Sequence, residues 1–368
     1  MSKMQINTVA LFSGGGGLDL GFAASGFDIV YSSDIDGYSC KTLENNQEKK
    51  SFLKNHIVET ADIKDLTAES IIKKVGKIIN FIIGGPPCQS FSVFGKRKGL
   101  EDPRGNLIFE YTRLLKELNP EGFLFENVAG LKTIHDGELY YNLLETLSID
   151  GKYVVSAHEY EVADFGIPQF RRRVFFIGSK KGISVPQMEA THKSPRSLFN
   201  AHQAFRTVGQ VLSGMPKPIT DWKGQVELNG HVGRNHSDRI RERYSSLKYG
   251  ERDHKTRINK LDPDKPSYTI IVGSDKGGGK GHVHPFEPRE VTPRESARLQ
   301  TFPDWWEFEG TGRHVIRQVG NAVPPLFAGL LANHIAKHIF NSKQTLTYYE
   351  LVNKLEITFL NDDNQRPF

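Results

Sequence analysis

The chain has 368 residues, 38% of them apolar and 25% charged, with a formal net charge of +5. That length suits one large domain beside a smaller one, with a sizeable core. No apolar stretch approaches a membrane span and no basic-then-apolar leader precedes the first strand, so a soluble, cytoplasmic protein without a membrane partner is expected.

Thr8-Val9-Ala10-Leu11-Phe12 reads as a buried strand, followed by the glycine run Gly14 to Gly17 and an amphipathic stretch to about Ala24. Asp28 to Ser32 is a second short strand and Tyr38 to Asn46 a helix. Residues 78–83 and Gly122-Phe123-Leu124-Phe125 read as two more buried strands, with a helical stretch from Leu107 to Leu118 between them. Tyr153 to His158 and Val174-Phe175-Phe176-Ile177 add a further pair. Alternation of this kind predicts the α/β class, a doubly wound, mainly parallel sheet with helices on both faces.

The character changes after about Lys180. Residues 181–290 are rich in Gly, Pro, His, Lys and Arg and have little periodicity, as expected of a smaller, loop-rich domain. Thr292 to Gln300 and Leu326 to Phe340 are again helix-like, and the residues from about Asn341 read as a peripheral extension or a loosely held tail. The expected division is therefore 1–180, 181–290, and 291–368 returning to the first part.

Gly84-Gly85-Pro86-Pro87-Cys88-Gln89-Ser90-Phe91-Ser92 places one cysteine on a stiff turn straight after a strand. A free cysteine is commonly a small buried apolar side chain, but such a turn also suits a nucleophile held at a sheet edge. Cys40 and Cys88 alone can build neither a disulfide framework nor a tetrahedral zinc site, and no metal is expected.

The segment Phe12 to Asp19 leaves the first strand through glycines and opens a helix, where the backbone can approach a ligand and a helix N-terminus favours a carboxylate. Its spacing does not match G-x-G-x-x-G, and the glycine run near Lys280 does not fit a P-loop, so dinucleotide binding and a nucleotide P-loop are both disfavoured. Asp34 ends the second strand, where an acid can accept from ribose hydroxyls. Asp62 is placed to accept from an adenine amino group, and both acids suit helix caps equally well. With the loop they describe a site for an adenosine-bearing ligand without phosphates.

Six segments in a fixed order resemble the DNA (cytosine-5)-methyltransferases over most of the chain, in their bacterial or phage restriction–modification type. Phe12 to Gly17 is similar to that family's S-adenosylmethionine loop, with Asp34 where glutamate is more usual. Pro86-Pro87-Cys88-Gln89, Phe125-Glu126-Asn127-Val128 and Gln169-Phe170-Arg171-Arg172-Arg173 resemble three catalytic motifs. Thr292 to Gln300 and Gln318 to Pro324 resemble the two late ones, the last returning to the cofactor pocket.

The resemblance implies a Rossmann-like methyltransferase domain in 1–180 and a target-recognition domain in 181–290. It implies Cys88 as the nucleophile at carbon 6 of a flipped-out cytosine, Glu126 at ring nitrogen 3, and Arg173 with Arg171 at the carbonyl or settling the other two. Arg172 is expected to point elsewhere. The methyl donor would lie against Phe12, Gly14, Gly16, Gly17, Leu18, Asp34, Ile35, Asp62, Ile63, Pro86, Asn321 and Val323. Double-stranded DNA is the implied partner, met by a monomer through Gln89, Ser92, Arg104 and Thr269, and basic clusters at Lys96 to Lys98, Arg171 to Arg173 and Arg234 to Arg257 fit a polyanion groove. A separately acting restriction endonuclease would accompany a methylase of a restriction–modification pair; an orphan methylase fits equally. Transfer RNA as substrate, amino-group methylation and a silent DNA-binding regulator are the competing readings. The intact Cys88 and Glu126 argue against the last two.

Overall fold

The computed structural model describes residues 5–87, 106–130, 137–193, 203–221, 224, 226–271 and 281–360. They belong to two compact units: Met1–Tyr160, Arg172–Glu189 and Ala328–Leu346 form one, and Glu161–Arg171, Ala190–Phe327 and Thr347–Phe368 the other. Among the described residues no helix is long and apolar enough to cross a membrane.

The first unit alternates β1 (Ile6–Leu11), α1 (Gly17–Ala24), β2 (Phe27–Asp34), α2 (Gly37–Asn46), β3 (Ile57–Thr60), α3 (Ala68–Val75), β4 (Phe81–Gly84), α4 (Asn106–Leu118), β5 (Gly122–Val128), α5 (Glu138–Ser148), β6 (Val154–Glu161) and β7 (Arg172–Ser179). The strands form one seven-stranded sheet in the order β3-β2-β1-β4-β5-β7-β6. The pairs from β3 to β5 are parallel, and β7 runs antiparallel to β5. Strands β1 and β4 are almost wholly buried because helices cover both faces. Val9, Leu11, Ile82, Phe123 and Phe125 pack with Ile71, Leu114, Leu115, Leu143 and Leu147 of α3 to α5. On the opposite face Phe22, Phe27, Phe81 and Phe340 meet edge to face or stacked, with centroids 4.8–6.2 Å apart. The expected doubly wound α/β sheet is observed.

Strand order reverses at β1 and β4, the topological switch where open α/β sheets bind ligands outside the carboxyl ends of their strands. Leu11 pairs with Ser33 and Gly84, and Gly84 with Phe125, so the residues following these strands leave from one edge.

The strand expected over 78–83 is shorter and later, at Phe81–Gly84. Ile78 is 81% exposed, and its carbonyl accepts from Asn7 Nδ2, so the residues before Phe81 are an approach rather than ladder.

The second unit carries two-residue strands β8 (His192–Lys193) and β9 (Gln203–Ala204), then α6 (Val208–Leu212), α7 (Asp238–Ser246), α8 (Pro293–Leu299), α9 (Gly312–Asn321) and α11 (Tyr348–Leu355); α10 (Pro325–Ile339) starts here and continues in the first unit. Its loops are tied by buried charge. Arg294 is fully buried and donates to Asn229 O, Pro303 O and Trp306 O, while Glu295 takes two hydrogen bonds from Arg289. Residues 291–327 thus cluster with 190–290, and only 328–346 join the sheet unit. The segment read as an extension or tail contains α11, begun by a Thr347–Glu350 capping box and holding Leu351, Val352 and Leu355 buried.

Candidate active site

The loop after β1 is built from backbone that side chains tolerate poorly. Phe12 has φ +56°, Gly14 φ +53° and Gly16 φ +80°, and Gly16 caps α1 in the left-handed region. A Cβ at Gly14 would meet nothing within 4 Å, so the loop leaves open space above it. Ser13 N–H donates to Ser33 O and Gly16 N–H to Ser13 O, fixing the turn on β2. Phe12 is half-buried against the core, Gly17 is buried and Leu18 half-buried.

Asp34 closes β2 and holds the loop from the other side. Its Oδ2 accepts Gly14 N–H at 2.8 Å and its Oδ1 accepts Asp36 N–H at 2.9 Å. Ile35 next to it is 70% exposed, an apolar surface on a site otherwise made of backbone. Ala61 N–H donates to Asp34 O, which brings Asp62 alongside; Asp62 caps the short turn Ile63–Asp65 by accepting Lys64 N–H at 3.1 Å. The side chain of Ile63 is 6% exposed and belongs to the core, so it offers a ligand only its backbone.

Across the switch point, β4 runs into Gly84-Gly85-Pro86-Pro87. A Cβ on Gly84 would approach Tyr111 to 2.9 Å, and one on Gly85 would stand 2.6 Å from Glu126 Oε2. Only glycine lets the turn lie against that carboxyl. Buried Asn127 donates Nδ2 to Pro86 O at 3.1 Å and accepts Val128 N–H at 2.8 Å. Cys88, Gln89, Ser92 and Arg104 follow this turn and lie outside the described residues, as do Lys96 to Lys98.

Glu126 on β5 faces Arg173 on β7. In the antiparallel register Val128 opposes Arg173 and Glu126 opposes Phe175, so the two side chains are diagonal neighbours on one face. Arg173 Nε lies 3.0 Å from Glu126 Oε1, with both side chains mostly buried. Arg172 points away to Glu159 at 3.0 Å and is 68% exposed, as expected.

The remaining expected site residues lie in the second unit. Arg171 is 1% exposed and donates Nη2 to Gly320 O at 2.9 Å, next to Asn321, while its own N–H donates to Glu161. Asn321 ends α9 exposed, and Val323 is buried. The Thr269 hydroxyl donates to Phe170 O at 2.7 Å. Ile270 N–H donates to Gln169 Oε1, and Phe170 N–H to Ser267 O, so 267–270 are laced to the segment before Arg171. Gly85, Asn127 and Gln169 carry no role by their place in the motifs; their contacts depend on pairing across strands and loops, which spacing along the chain does not reveal.

Among the described residues no group of three or more His, Cys, Asp or Glu could hold a metal ion. The profile of the family described as C-5 cytosine-specific DNA methylase matches residues 6–341. The chain is 33% identical over 363 residues to the type II methyltransferase M.XorII of Xanthomonas oryzae pv. oryzae, covering 89% of this chain and 84% of that one. It is 34% identical to M.NgoFVII of Neisseria gonorrhoeae, covering 97% and 94%. A crystal structure of a candidate DNA modification methyltransferase encoded within an E. coli prophage superposes with TM-score 0.73 at 30% identity, over 92% of this chain and all of that one. The S. pombe Dnmt2 methyltransferase shares the fold, with TM-score 0.60 at 18% identity over 90% and 98%. With its switch-point loops and the Glu126–Arg173 pair in place, the chain belongs to the C-5 cytosine-specific DNA methylase family and is a DNA cytosine-5-methyltransferase.

Proposed function

We propose that this enzyme methylates carbon 5 of a cytosine flipped out of double-stranded DNA at a short sequence, by way of a Cys88 adduct at carbon 6. The observation that carries the reading is Glu126, held by Arg173 and packed against the turn that leads to Cys88. Carbon 5 of cytosine is a weak nucleophile. Thiolate addition at carbon 6 makes it enamine-like, and a carboxyl at ring nitrogen 3 offsets the charge that develops. Arg173 orients that carboxyl. Once carbon 5 is substituted, loss of its proton expels the thiolate and restores the ring.

The open loop at Gly14, the exposed Ile35 and the N-terminus of α1 fit S-adenosylmethionine, which supplies an electrophilic sulfonium methyl when bound. Phe12, Gly14, Gly16, Gly17, Leu18, Asp34, Ile35, Asp62, the Ile63 backbone and Pro86 would hold it. Arg171 is assigned to shaping the Gly320–Asn321 turn. Residues 181–290 would read the DNA sequence, Thr269 anchoring a loop that does so, with Gln89, Ser92 and Arg104 on the other approach. The target base leaves the stack because its ring is inaccessible within a duplex. The relatives named type II methyltransferases support a restriction–modification role beside a separate endonuclease. In this reading the methylase acts as a monomer on DNA in the bacterial cytoplasm.

The test is base-resolution 5-methylcytosine sequencing of DNA from a methylation-free bacterial host expressing the protein, beside Cys88→Ala. A mark at one short motif, lost in the variant, is expected. An unmarked genome with soluble protein would overturn the DNA reading, and a mark retained by the variant would overturn the adduct.

A further inference from the structure

Beneath the cofactor loop runs a chain of three side chains on three segments. Asp19, in the first turn of α1, is 4% exposed, and its Oδ1 accepts the Ser32 hydroxyl at 2.7 Å. The same Ser32 oxygen lies 3.0 Å from His56 Nε2, and His56 Nδ1 lies 3.2 Å from Lys54 O. Asp19 Oδ2 is buried without a well-formed hydrogen bond; the Ser13 hydroxyl of the loop itself is near enough to pull on it without completing one. Among the described residues, then, half of a buried carboxylate is unsatisfied, which is costly for an anion.

Ser32 has one proton, so the chain has two arrangements with equal proton count. In one, Asp19 is ionised, Ser32 donates to it, and a charged His56 donates to Ser32 and to Lys54 O. In the other, the proton has passed through Ser32: the Asp19 hydroxyl donates to Ser32, Ser32 donates to Nε2, and neutral His56 keeps its Nδ1 proton on Lys54 O. We propose that Asp19, Ser32 and His56 form a proton-sharing relay, and that Asp19 is a positioning residue whose charge tunes how tightly the loop holds the amino-acid end of the methyl donor. The proposal rests on the assignment of that loop to the donor.

The surroundings favour sharing. Burial, reinforced by the Asp34 carboxylate, pushes Asp19 up to about 6 against the pull of Ser32 and Ser13. Burial pushes His56 down, while the Asp28 carboxylate opposes it; Asp28 is itself paired with Lys54 and Lys77. A donor carboxylate at the α1 N-terminus and the Asp19 carboxylate in its first turn draw on the same positive field. The ligand therefore favours protonated Asp19. Binding raises the Asp19 pKa, so the extra affinity is fully present below its unbound value and is lost as pH rises from there through the bound value.

Titration calorimetry with S-adenosyl-L-homocysteine from pH 5.5 to 7.5 tests this on the intact protein. The wild type should bind about three- to tenfold tighter at the acid end, and Asp19→Asn should flatten that difference to less than about twofold, which cancels any titration of the ligand itself. Parallel profiles would overturn the tuning. Ring ¹⁵N NMR of His56, assigned with His56→Gln, reads the relay without ligand. Its midpoint should fall by about half a unit or more in Asp19→Asn, and by less than half as much when Ser32→Ala is present. An unmoved midpoint in folded protein would overturn the relay. Absence of binding at every pH would instead overturn the loop assignment and the tuning with it, while the NMR shift still decides the relay.

Discussion

Asn127 Nδ2 donates to the carbonyl of Pro86 at 3.1 Å, tying the end of β5 to the turn that leaves β4. Two residues beyond Pro86 in the sequence stands Cys88, the proposed nucleophile, so this amide fixes where the chain leading to it begins. Asn127→Asp presents an acceptor to an acceptor. Turnover is expected to fall at least about tenfold, the scale of 1.4 kcal/mol for a lost buried hydrogen bond. S-adenosylhomocysteine affinity should fall far less than turnover, since of the residues assigned to the donor only Pro86 is disturbed. Single-turnover methylation alongside calorimetry separates the two, and equal losses in both would show a general collapse instead.

Gly85 offers a second way to move the same apparatus. A methyl at this position would stand 2.6 Å from Glu126 Oε2, so either the turn or the carboxyl must give way. Gly85→Ala is expected to reduce kcat about a hundredfold, as misplacement by about 1 Å does elsewhere, with a Tm within a few degrees of wild type. Wild-type turnover in that variant would mean Glu126 does not need its observed place.

Glu126→Gln keeps the shape and removes the acid, and should lower the rate by about 10² to 10⁴, the usual contribution of general acid catalysis. Arg173→Ala should cost less, and the double variant little more than Glu126→Gln alone, because the arginine acts through the carboxyl it holds at 3.0 Å. Fully additive losses would give Arg173 a separate contact with the base.

Much of this arrangement was legible in the sequence. The apolar runs at β1 and β5, the glycine loop and the Pro-Pro turn carry local signals that tertiary packing only reinforces. Helix α3 was missed, although Ala68, Ile71, Ile72 and Val75 stand at helical spacing between a Thr67 cap and Gly76; so short a run reads as an approach to the next strand. Other features were beyond a one-dimensional reading. Arg171 and Arg173 are two residues apart, yet one is buried against Gly320 O while the other meets Glu126. Alternation along a strand says they share a parity, not which neighbours their tips find. The relay through Ser32 is likewise set by β2 passing under α1.

Asp34 looks like a ribose acceptor from its position alone, but its carboxylate already accepts two backbone N–H groups, from Gly14 and Asp36. Asp34→Asn keeps one acceptor oxygen and should weaken S-adenosylhomocysteine about tenfold; Asp34→Ala frees the loop and should weaken it about a hundredfold, on the scale of 1.5–3 kcal/mol for hydrogen bonds to a charged group. Equal, small effects in both would remove the aspartate from ligand and loop alike.

The second unit has its own acid-sensitive point at Asp253. This fully buried carboxylate accepts Arg243 Nε at 2.6 Å and both the N–H and the hydroxyl of Thr256 at 2.6 Å, beside the small core of Tyr244, Ile258 and Val283. Burial alone would raise its pKa, but the hydrogen bonds from Thr256 and then the Arg243 guanidinium outweigh it and hold the group at about 2, against 3.8 when unperturbed. The folded value lies below the unfolded one, so the stabilisation is fully present above about pH 4 and fades as pH falls towards 2. Its size is on the order of 2 kcal/mol. Asp253→Asn should therefore lower the denaturation midpoint at pH 7 and narrow the gap to wild type below pH 3. Urea titrations at both pH values, followed by Trp fluorescence, measure that gap; a difference independent of pH would mean packing rather than charge holds this corner.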